Sequence, residues 1–284
     1  MTMMLNADQI AEASLAARQG MLVDVIASTP STNTALRERI ATLSAPMLLA
    51  AELQTAGRGR AGRSWHSAPG DSLCFSLAWR FQASIDRLSG LSLAVGVTIA
   101  ETLCGLGWPV QLKWPNDLLL GGEKLGGILI ETAQQAAATS SARWAVIGVG
   151  LNVRPNRERD AALGHAVATL QTAAPTGNQE AAIDRNKLLA TLADALSASL
   201  SIFDREGLPC FVARWQALHL HQDQNVRIVE KGVVLYEGIA HGIDDSGRLL
   251  LDTSTGRVAI ATGDVSLRPF NAAVSQGGAH AAAD

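Results

Sequence analysis

Apolar residues along the chain fall into short runs and regular spacings that divide it into three zones. Residues 8–19 are rich in Ala and helix formers and stop at Gly20, which reads as a short helix with its C-cap. MLVDVIAS then reads as a strand. Ser31, Thr32 and Asn33 follow as N-cap residues before TALRERIATL, so the triplet is expected at a strand-to-helix junction with free backbone N–H groups facing outward, a natural anion site. MLLAAELQ reads as a buried strand. SLCFSLAWRF alternates, with Leu73, Phe75, Leu77, Trp79 and Phe81 on one face, and predicts a half-buried strand. Leu88, Leu91, Val95, Ile99 and Leu103 recur at helical spacing and predict one amphipathic helix ending at CGLG. VQLKW, DLLL, KLGGILIE and WAVIGVGLNV predict further strands, the middle two forming a hairpin that turns at Gly121-Gly122. A mixed sheet with helices on one face is the simplest packing.

Residues 154–183 are polar and weakly periodic and read as loop with at most one helical turn. Asp184 caps a helix carrying Leu188, Leu192, Leu196, Leu200 and Phe203, closed by Gly207, with Pro209 starting another. Beyond His221 the texture changes: NVRIVE, VVLYEGIA, RLLLDT and VAIAT alternate with turn signals, as in a small barrel of about 50 residues. The last segment, 271–284, has no periodicity and is expected to be disordered.

Composition narrows the function classes. The 284 residues are 48% hydrophobic and 17% charged with a formal net charge of -3, which excludes chain-wide disorder. The pI near 6.1 offers no bulk field for nucleic acid or an anionic membrane. The most apolar stretch, 91–100, is about half of the ~20 residues a membrane span needs. The amino terminus lacks the basic and apolar regions of a secretory signal. Cys74, Cys104 and Cys210 are far apart without CxxC spacing, so neither a disulfide framework nor a thiolate zinc site is expected and a reducing cytoplasm fits.

Candidate chemistry concentrates in two loops. Gly57-Arg58-Gly59-Arg60-Ala61-Gly62-Arg63 formally matches GxGxxG, but a dinucleotide fingerprint must open a helix, whereas SWHSAPGDS and a strand follow here. The sequence allows a solvated glycine-rich turn, an RNA-binding patch, or a flap whose guanidinium groups close over phosphate. The second loop runs from Lys113-Trp114-Pro115-Asn116-Asp117 to Glu123-Lys124-Leu125-Gly126-Gly127. It lacks the P-loop frame, yet its glycines would let a ligand approach the backbone beside Lys124. Taken alone, Lys124 also reads as an ordinary hairpin lysine and Asn116-Asp117 as an ordinary turn.

In combination the motifs are specific. STNT, then ELQTAGRGRAGRSW, KWPNDLLLGGEKLGGIL and GVGLNV, in this order, resemble the biotin-protein ligases, and the likeness extends over 31–270. The resemblance implies an α+β fold: a mixed-sheet catalytic domain of the class II synthetase-like type over 1–221, and an SH3-like barrel over 222–270. It implies that biotin and MgATP give biotinyl-5'-adenylate, which then acylates a lysine of a biotin carboxyl carrier protein. By matching positions, Ser31, Thr32, Asn33 and Gln54 would bind the biotin head. Arg58, Gly59 and Arg60 would hold its carboxylate and the phosphate, with Arg63 and Trp65 toward the nucleotide. Lys124 would be the catalytic lysine, Gly127 would let biotin lie against the hairpin, and Asn152 would reach the nucleotide. Asn116 and Asp117 would lie near Mg²⁺, while Asp264 and Arg268 match charged positions facing ATP or the carrier.

Two departures qualify the resemblance. Some members carry an amino-terminal DNA-binding domain, and the residues before Ser31 are fewer than the roughly 50 such a domain needs, so operator binding is not expected. Some members carry Ala where this chain has Gly126, which should loosen the hairpin slightly. The rival readings are a lipoate-protein ligase and a noncatalytic RNA-binding module gripping through the arginine loop. Family members are monomers or homodimers, and the sequence does not choose. His66 reads as a solvated loop residue, His219 and His221 as no zinc site, Trp79, Trp144 and Trp215 as core, and Cys74 and Cys104 as small buried hydrophobes.

Overall fold

Strand alternation decides which side chains each sheet face offers to its neighbours. The computed structural model describes residues 4–82, 85–133, 143–173, 183–230, 232–261 and 265–269. In chain order the first elements are α1 (Ala7–Ala13), α2 (Leu15–Arg18), β1 (Leu22–Thr29), α3 (Thr32–Arg39), β2 (Met47–Gln54), β3 (Gly57–Arg58), β4 (Ser64–Trp65), β5 (Ser72–Phe81) and α4 (Leu91–Gly105). There follow β6 (Val110–Lys113), β7 (Asp117–Leu120), β8 (Glu123–Ala133), β9 (Arg143–Asn152), α5 (Arg157–Leu163), α6 (Arg185–Glu206) and α7 (Pro209–Leu218). The last are β10 (Asn225–Glu230), β11 (Val233–Ile243), β12 (Leu249–Thr253), β13 (Gly256–Ile260) and β14 (Val265–Pro269).

Seven strands form one mixed sheet in the order β1-β2-β5-β9-β8-β7-β6, parallel only between β1 and β2, which α3 connects. Phe75 and Leu77 of β5 and Ile147, Val149 and Leu151 of β9 point into the main core with α4, α6 and α7. The opposite face is also covered, contrary to the expectation of helices on one side. Leu36 and Ile40, from α3 and the turn after it, pack there on Leu49, Ala78, Trp144 and Val146. Strand β5 is therefore buried on both faces rather than half-buried, and its small residues Cys74, Ser76 and Ala78 are as hidden as its aromatics. Helix α4 likewise departs from an amphipathic reading. Leu93, Ala94, Val97 and Ala100 are buried along with the predicted stripe, because the sheet lies on one side of the helix and α6 and α7 on the other.

The first helix is in fact two. Ser14 is extended, its hydroxyl caps α2 by accepting from Ala17 N–H, and it donates to Asp194 of α6 at 2.6 Å. The predicted cap at Asp184, the stop at Gly207 and the start at Pro209 stand as expected. Cys104, expected in the core, is exposed at the end of α4.

The C-terminal strands pair antiparallel in the order β13-β12-β11-β10-β14. Among the described residues β13 and β14 do not pair with each other, so this sheet is open where a closed barrel was expected. It joins the rest through Ser89 Oγ–H to Ser246 O at 2.7 Å and Trp114 Nε1–H to Gly247 O at 3.2 Å. Segment 271–284, expected to be disordered, lies outside the described residues.

Candidate active site

Where α3 stops covering the sheet, the side chains on that face shrink. Beyond Trp144 and Val146, β9 presents Gly148, Gly150 and Asn152 at alternate positions, and beyond Ala78, β5 presents Ser76. Above them opens a cleft of about 690 Å³, large enough for a medium-sized ligand. The two glycines make the floor a bare backbone. A Cβ on Gly148 would collide with Asn33 Oδ1, and one on Gly150 with the indole of Trp65.

One end of the cleft is the β1 to α3 junction. Ser31 occupies the N-cap position without a side-chain cap bond, and Ser31, Thr32 and Asn33 are buried rather than facing outward. Gln54, at the end of β2, accepts from Thr32 N–H at 2.8 Å and from its hydroxyl at 3.1 Å. The Asn33 amide donates both protons, to Leu129 O at 3.2 Å and Glu131 Oε2 at 2.8 Å, while Ser76 Oγ lies 2.6 Å from Asn33 Oδ1. This end is a set of short polar groups held by one another.

The roof is the arginine loop, folded as a β3–β4 ribbon with Gly57 opposite Trp65 and Arg58 opposite Ser64. Arg58, Gly59, Arg60 and Arg63 all line the cleft, as does His66. Arg58 Nη2 donates to Thr34 Oγ1 at 3.1 Å and to Glu131 Oε2 at 2.8 Å. Trp65 lies over Gly150 and beside Cys74, whose thiol burial pushes up to about 11, so that it is a neutral part of the wall.

The middle of the cleft is the β7–β8 hairpin. Gly121 (φ 61°) and Gly122 (φ 82°) both take left-handed conformations at its turn, as the Gly-Gly pair predicts. Two pairs beyond the turn, the register slips: Leu118 pairs with Gly126 but Leu119 with Lys124, leaving Leu125 as an extra residue. In a regular strand Lys124 and Gly127, an odd number apart, would point to opposite faces. The bulge restores Lys124 to the cleft face, where Nζ donates to Asp117 Oδ1 at 2.6 Å. A Cβ on Gly127 would lie 3.7 Å from Nζ and 3.9 Å from Oδ1, so the ion pair stands directly over bare backbone. Gly126, expected to loosen the hairpin slightly, lies where β8 packs closely on β9. A Cβ there would stand 2.5 Å from Gly150 O, so its missing side chain is what lets β8 lie close on β9.

Asn116 Nδ2 donates to Ile128 O at 2.9 Å, which leaves its Oδ1 and the second oxygen of Asp117 as oxygen donors beside Lys124. Asn152 is buried; it donates to Lys124 O at 3.3 Å and accepts from Arg159 Nη1 at 3.2 Å. Arg159, buried on α5 inside the stretch read as loop, carries no sequence signal of its role. Ser76 and Glu131 were also missed, being ordinary strand residues. The GVG spacing at Gly148 and Gly150 was a usable signal, since glycines two apart in a strand bare one face. Lys113 and His221 border the far end of the cleft, near the C-terminal sheet. Asp264 lies outside the described residues, and Arg268 is on β14 in register with Arg227.

Comparison with known proteins agrees with this geometry. Residues 25–152 match the biotin/lipoate A/B protein ligase family and residues 221–268 the biotin protein ligase C terminal domain. The bifunctional ligase/repressor BirA of Escherichia coli is 37% identical over 266 residues, 93% of this chain and 78% of that protein. The biotin--[acetyl-CoA-carboxylase] ligase of Mycobacterium tuberculosis is 36% identical over 265 residues, 91% of this chain and 92% of that one. The solved structure of the biotin protein ligase of Aquifex aeolicus in complex with biotin and ATP is 27% identical with a TM-score of 0.68, covering 88% of this chain and 98% of that one. A glycine-floored cleft roofed by arginines and these matches over most of the length lead to one conclusion: the chain belongs to the family of biotin protein ligases.

Proposed function

We propose that the chain couples biotin to a lysine of a biotin carboxyl carrier protein in two steps. In the first, a biotin carboxylate oxygen attacks the α-phosphorus of ATP, pyrophosphate leaves, and biotinyl-5'-adenylate forms. In the second, the carrier lysine amine attacks the acyl carbon and AMP leaves. The observation that carries this reading is the Lys124–Asp117 pair over Gly127, in the same cleft as the polar pocket at Thr32, Asn33 and Gln54. Two anions must approach each other in the first step, and a fixed ammonium beside bare backbone stabilises the charge that develops as they do.

The cleft residues divide the work by their chemistry. The biotin ureido group is flat, with two N–H donors and one oxygen acceptor. Ser31, Thr32, Asn33 and Gln54 offer complementary short polar groups, and Asn33 Oδ1 keeps a lone pair after its amide protons are spent. Gly127 lets the ring system lie against the hairpin, and Gly148 and Gly150 make room for Asn33 and Trp65 beside it. Arg58, Gly59 and Arg60 face the carboxylate and α-phosphate, while Arg63, Trp65 and Asn152 face the nucleotide. A closed roof also keeps water from the acyl-adenylate. Mg²⁺ fits the oxygen donors of Asn116 and Asp117, since it takes few protein ligands and several waters, and it would neutralise phosphate charge there.

In this reading residues 1–221 form the catalytic domain and 222–270 a small domain of the SH3-like type whose sheet, among the described residues, stays open between β13 and β14, with the protein acting in the cytoplasm as a monomer or homodimer. Support for that domain is the run of antiparallel strands in the segment matched to the C-terminal domain of the family. The decisive assay is exchange of labelled pyrophosphate into ATP. Biotin-dependent exchange is expected, and exchange with lipoate but not biotin would replace the reading with a lipoate ligase.

A further inference from the structure

Glu131 lies on β8 four residues past Gly127, on the same face and at the rim of the biotin end of the cleft. Three donors from two separate segments converge on its carboxylate. Oε2 accepts from Asn33 Nδ2 at 2.8 Å and from Arg58 Nη2 at 2.8 Å, and Oε1 accepts from Arg37 Nη1 at 3.0 Å. Asn33 and Arg37 are four apart on α3 and so share a helix face. Arg58 comes from the roof. The carboxylate is mostly covered, with 19% of its side chain exposed.

Each contact constrains something that a ligand would need. The bond from Asn33 Nδ2, together with Leu129 O, spends both amide protons and therefore fixes Oδ1 on the side of Ser76 and the glycine floor. An amide turned the other way would bring its NH₂ toward the Ser76 hydroxyl and leave Glu131 facing a carbonyl oxygen, lone pair against lone pair. The bond from Arg58 ties the first arginine of the roof to the wall, with Thr34 Oγ1 as a second anchor. Arg37 and Arg58 repel each other, and only the negative charge between them lets both point inward. A residue needed merely to hold Asn33 could be neutral. The charge is explained by the two guanidinium groups.

We propose that Glu131 is a positioning residue that couples recognition of the biotin head to closure of the arginine roof. Through Asn33 it presents an acceptor to the ureido N–H groups, and through Arg58 it holds the roof over whatever occupies the pocket. Its loss would not remove a group that touches the reacting atoms. It would shorten the time for which the adenylate stays enclosed and weaken biotin binding. This rests on the ligase reading above.

The test uses the full chain, biotin and MgATP. Glu131→Gln keeps the shape and an acceptor for Asn33 but removes the charge. Enclosed adenylate, formed from labelled biotin and chased with unlabelled biotin, should escape about fivefold faster. That is the change expected from a charge-assisted bond weakened by partial exposure. The KM for biotin should rise while kcat moves less than about twofold, a split that general destabilisation would not produce. Arg58→Gln, on the exposed roof and without consequence for the core, also removes a group facing the carboxylate and phosphate, so it should speed escape at least as much. The double variant should be no faster than Arg58→Gln alone, because the hold that Glu131 has on the roof runs through Arg58. Additive effects, or wild-type retention in Glu131→Gln, would overturn the proposal. A wild-type chain that forms no adenylate at all would instead overturn the ligase reading.

Discussion

Lys124 and Asp117 face each other at 2.6 Å across a hairpin whose register slips by one residue between them. The slip is what makes the pair possible, since a regular hairpin would send the lysine to the core face beside Leu118 and Leu120. The aspartate gives the ammonium a fixed position, and the ammonium keeps the aspartate from repelling an incoming anion. Each half of the pair therefore has its own consequence when removed.

Lys124→Ala should cost about 10²- to 10³-fold in the single-turnover rate of adenylate formation, the range seen when one electrostatic donor is lost. Its side chain is 38% exposed, so thermal stability should hardly change. Rapid-quench measurement of adenylate at saturating biotin and ATP checks this, and wild-type kinetics would remove Lys124 from the mechanism.

Arg60→Gly should leave adenylate formation partly intact but open the roof. Released adenylate would then label bystander lysines, by about tenfold or more over the wild-type enzyme. Mass spectrometry of a mixed-protein acceptor pool measures it, and unchanged bystander labelling would mean that the roof does not retain the intermediate.

Gly150→Ala should displace Trp65, because the new methyl group would occupy the space of the indole. Overpacking of this kind costs about 1–3 kcal/mol, here borne by the roof rather than the core. The expected signature is a shift of tryptophan fluorescence and weaker nucleotide affinity in a protein that still melts cooperatively. An unaltered Trp65 environment would contradict the close packing.

His219 gives the fold an acid limit. Buried and stacked on Trp215 at 4.3 Å, it is pushed by desolvation from the ordinary 6.5 down to about 3, with the neighbouring His221 adding to the effect. The unfolded chain binds a proton at this site below pH 6.5 and the folded chain does not, so stability is full above that pH and falls as pH drops toward 3. One such histidine lowers stability by about 2 kcal/mol between pH 7 and pH 5. His219→Phe, which keeps the stack, should flatten that part of the melting-temperature profile, and a profile identical to wild type would locate the acid sensitivity elsewhere.

Much of this was legible in the residues, and the failures have physical causes. Alternation and turn chemistry located the strands of both sheets except β14, because glycine pairs and apolar periodicity are local properties. The cap at Asp184 and the turn at Gly121-Gly122 were legible for the same reason. What local pattern does not encode is which second surface covers a strand. The small residues Ser76 and Ala78 read as an exposed face because nothing in SLCFSLAWRF announces that α3 and the roof lie above it. The bulge at Leu125 was invisible as well, since it depends on cross-strand register. Arg159 and Glu131 belong to the site only through partners distant in sequence.

The place of β9 bears on when during its making the protein becomes able to act. This strand is the last of its sheet to leave the ribosome, yet it lies between β5 and β8 and joins two halves that otherwise share no strand pairing. It also carries the glycine floor. Until residue 152 has emerged, the growing chain holds the arginine roof and the lysine hairpin but no surface between them on which biotin can rest. A nascent or truncated chain is thus unable to start a reaction whose intermediate it could not contain.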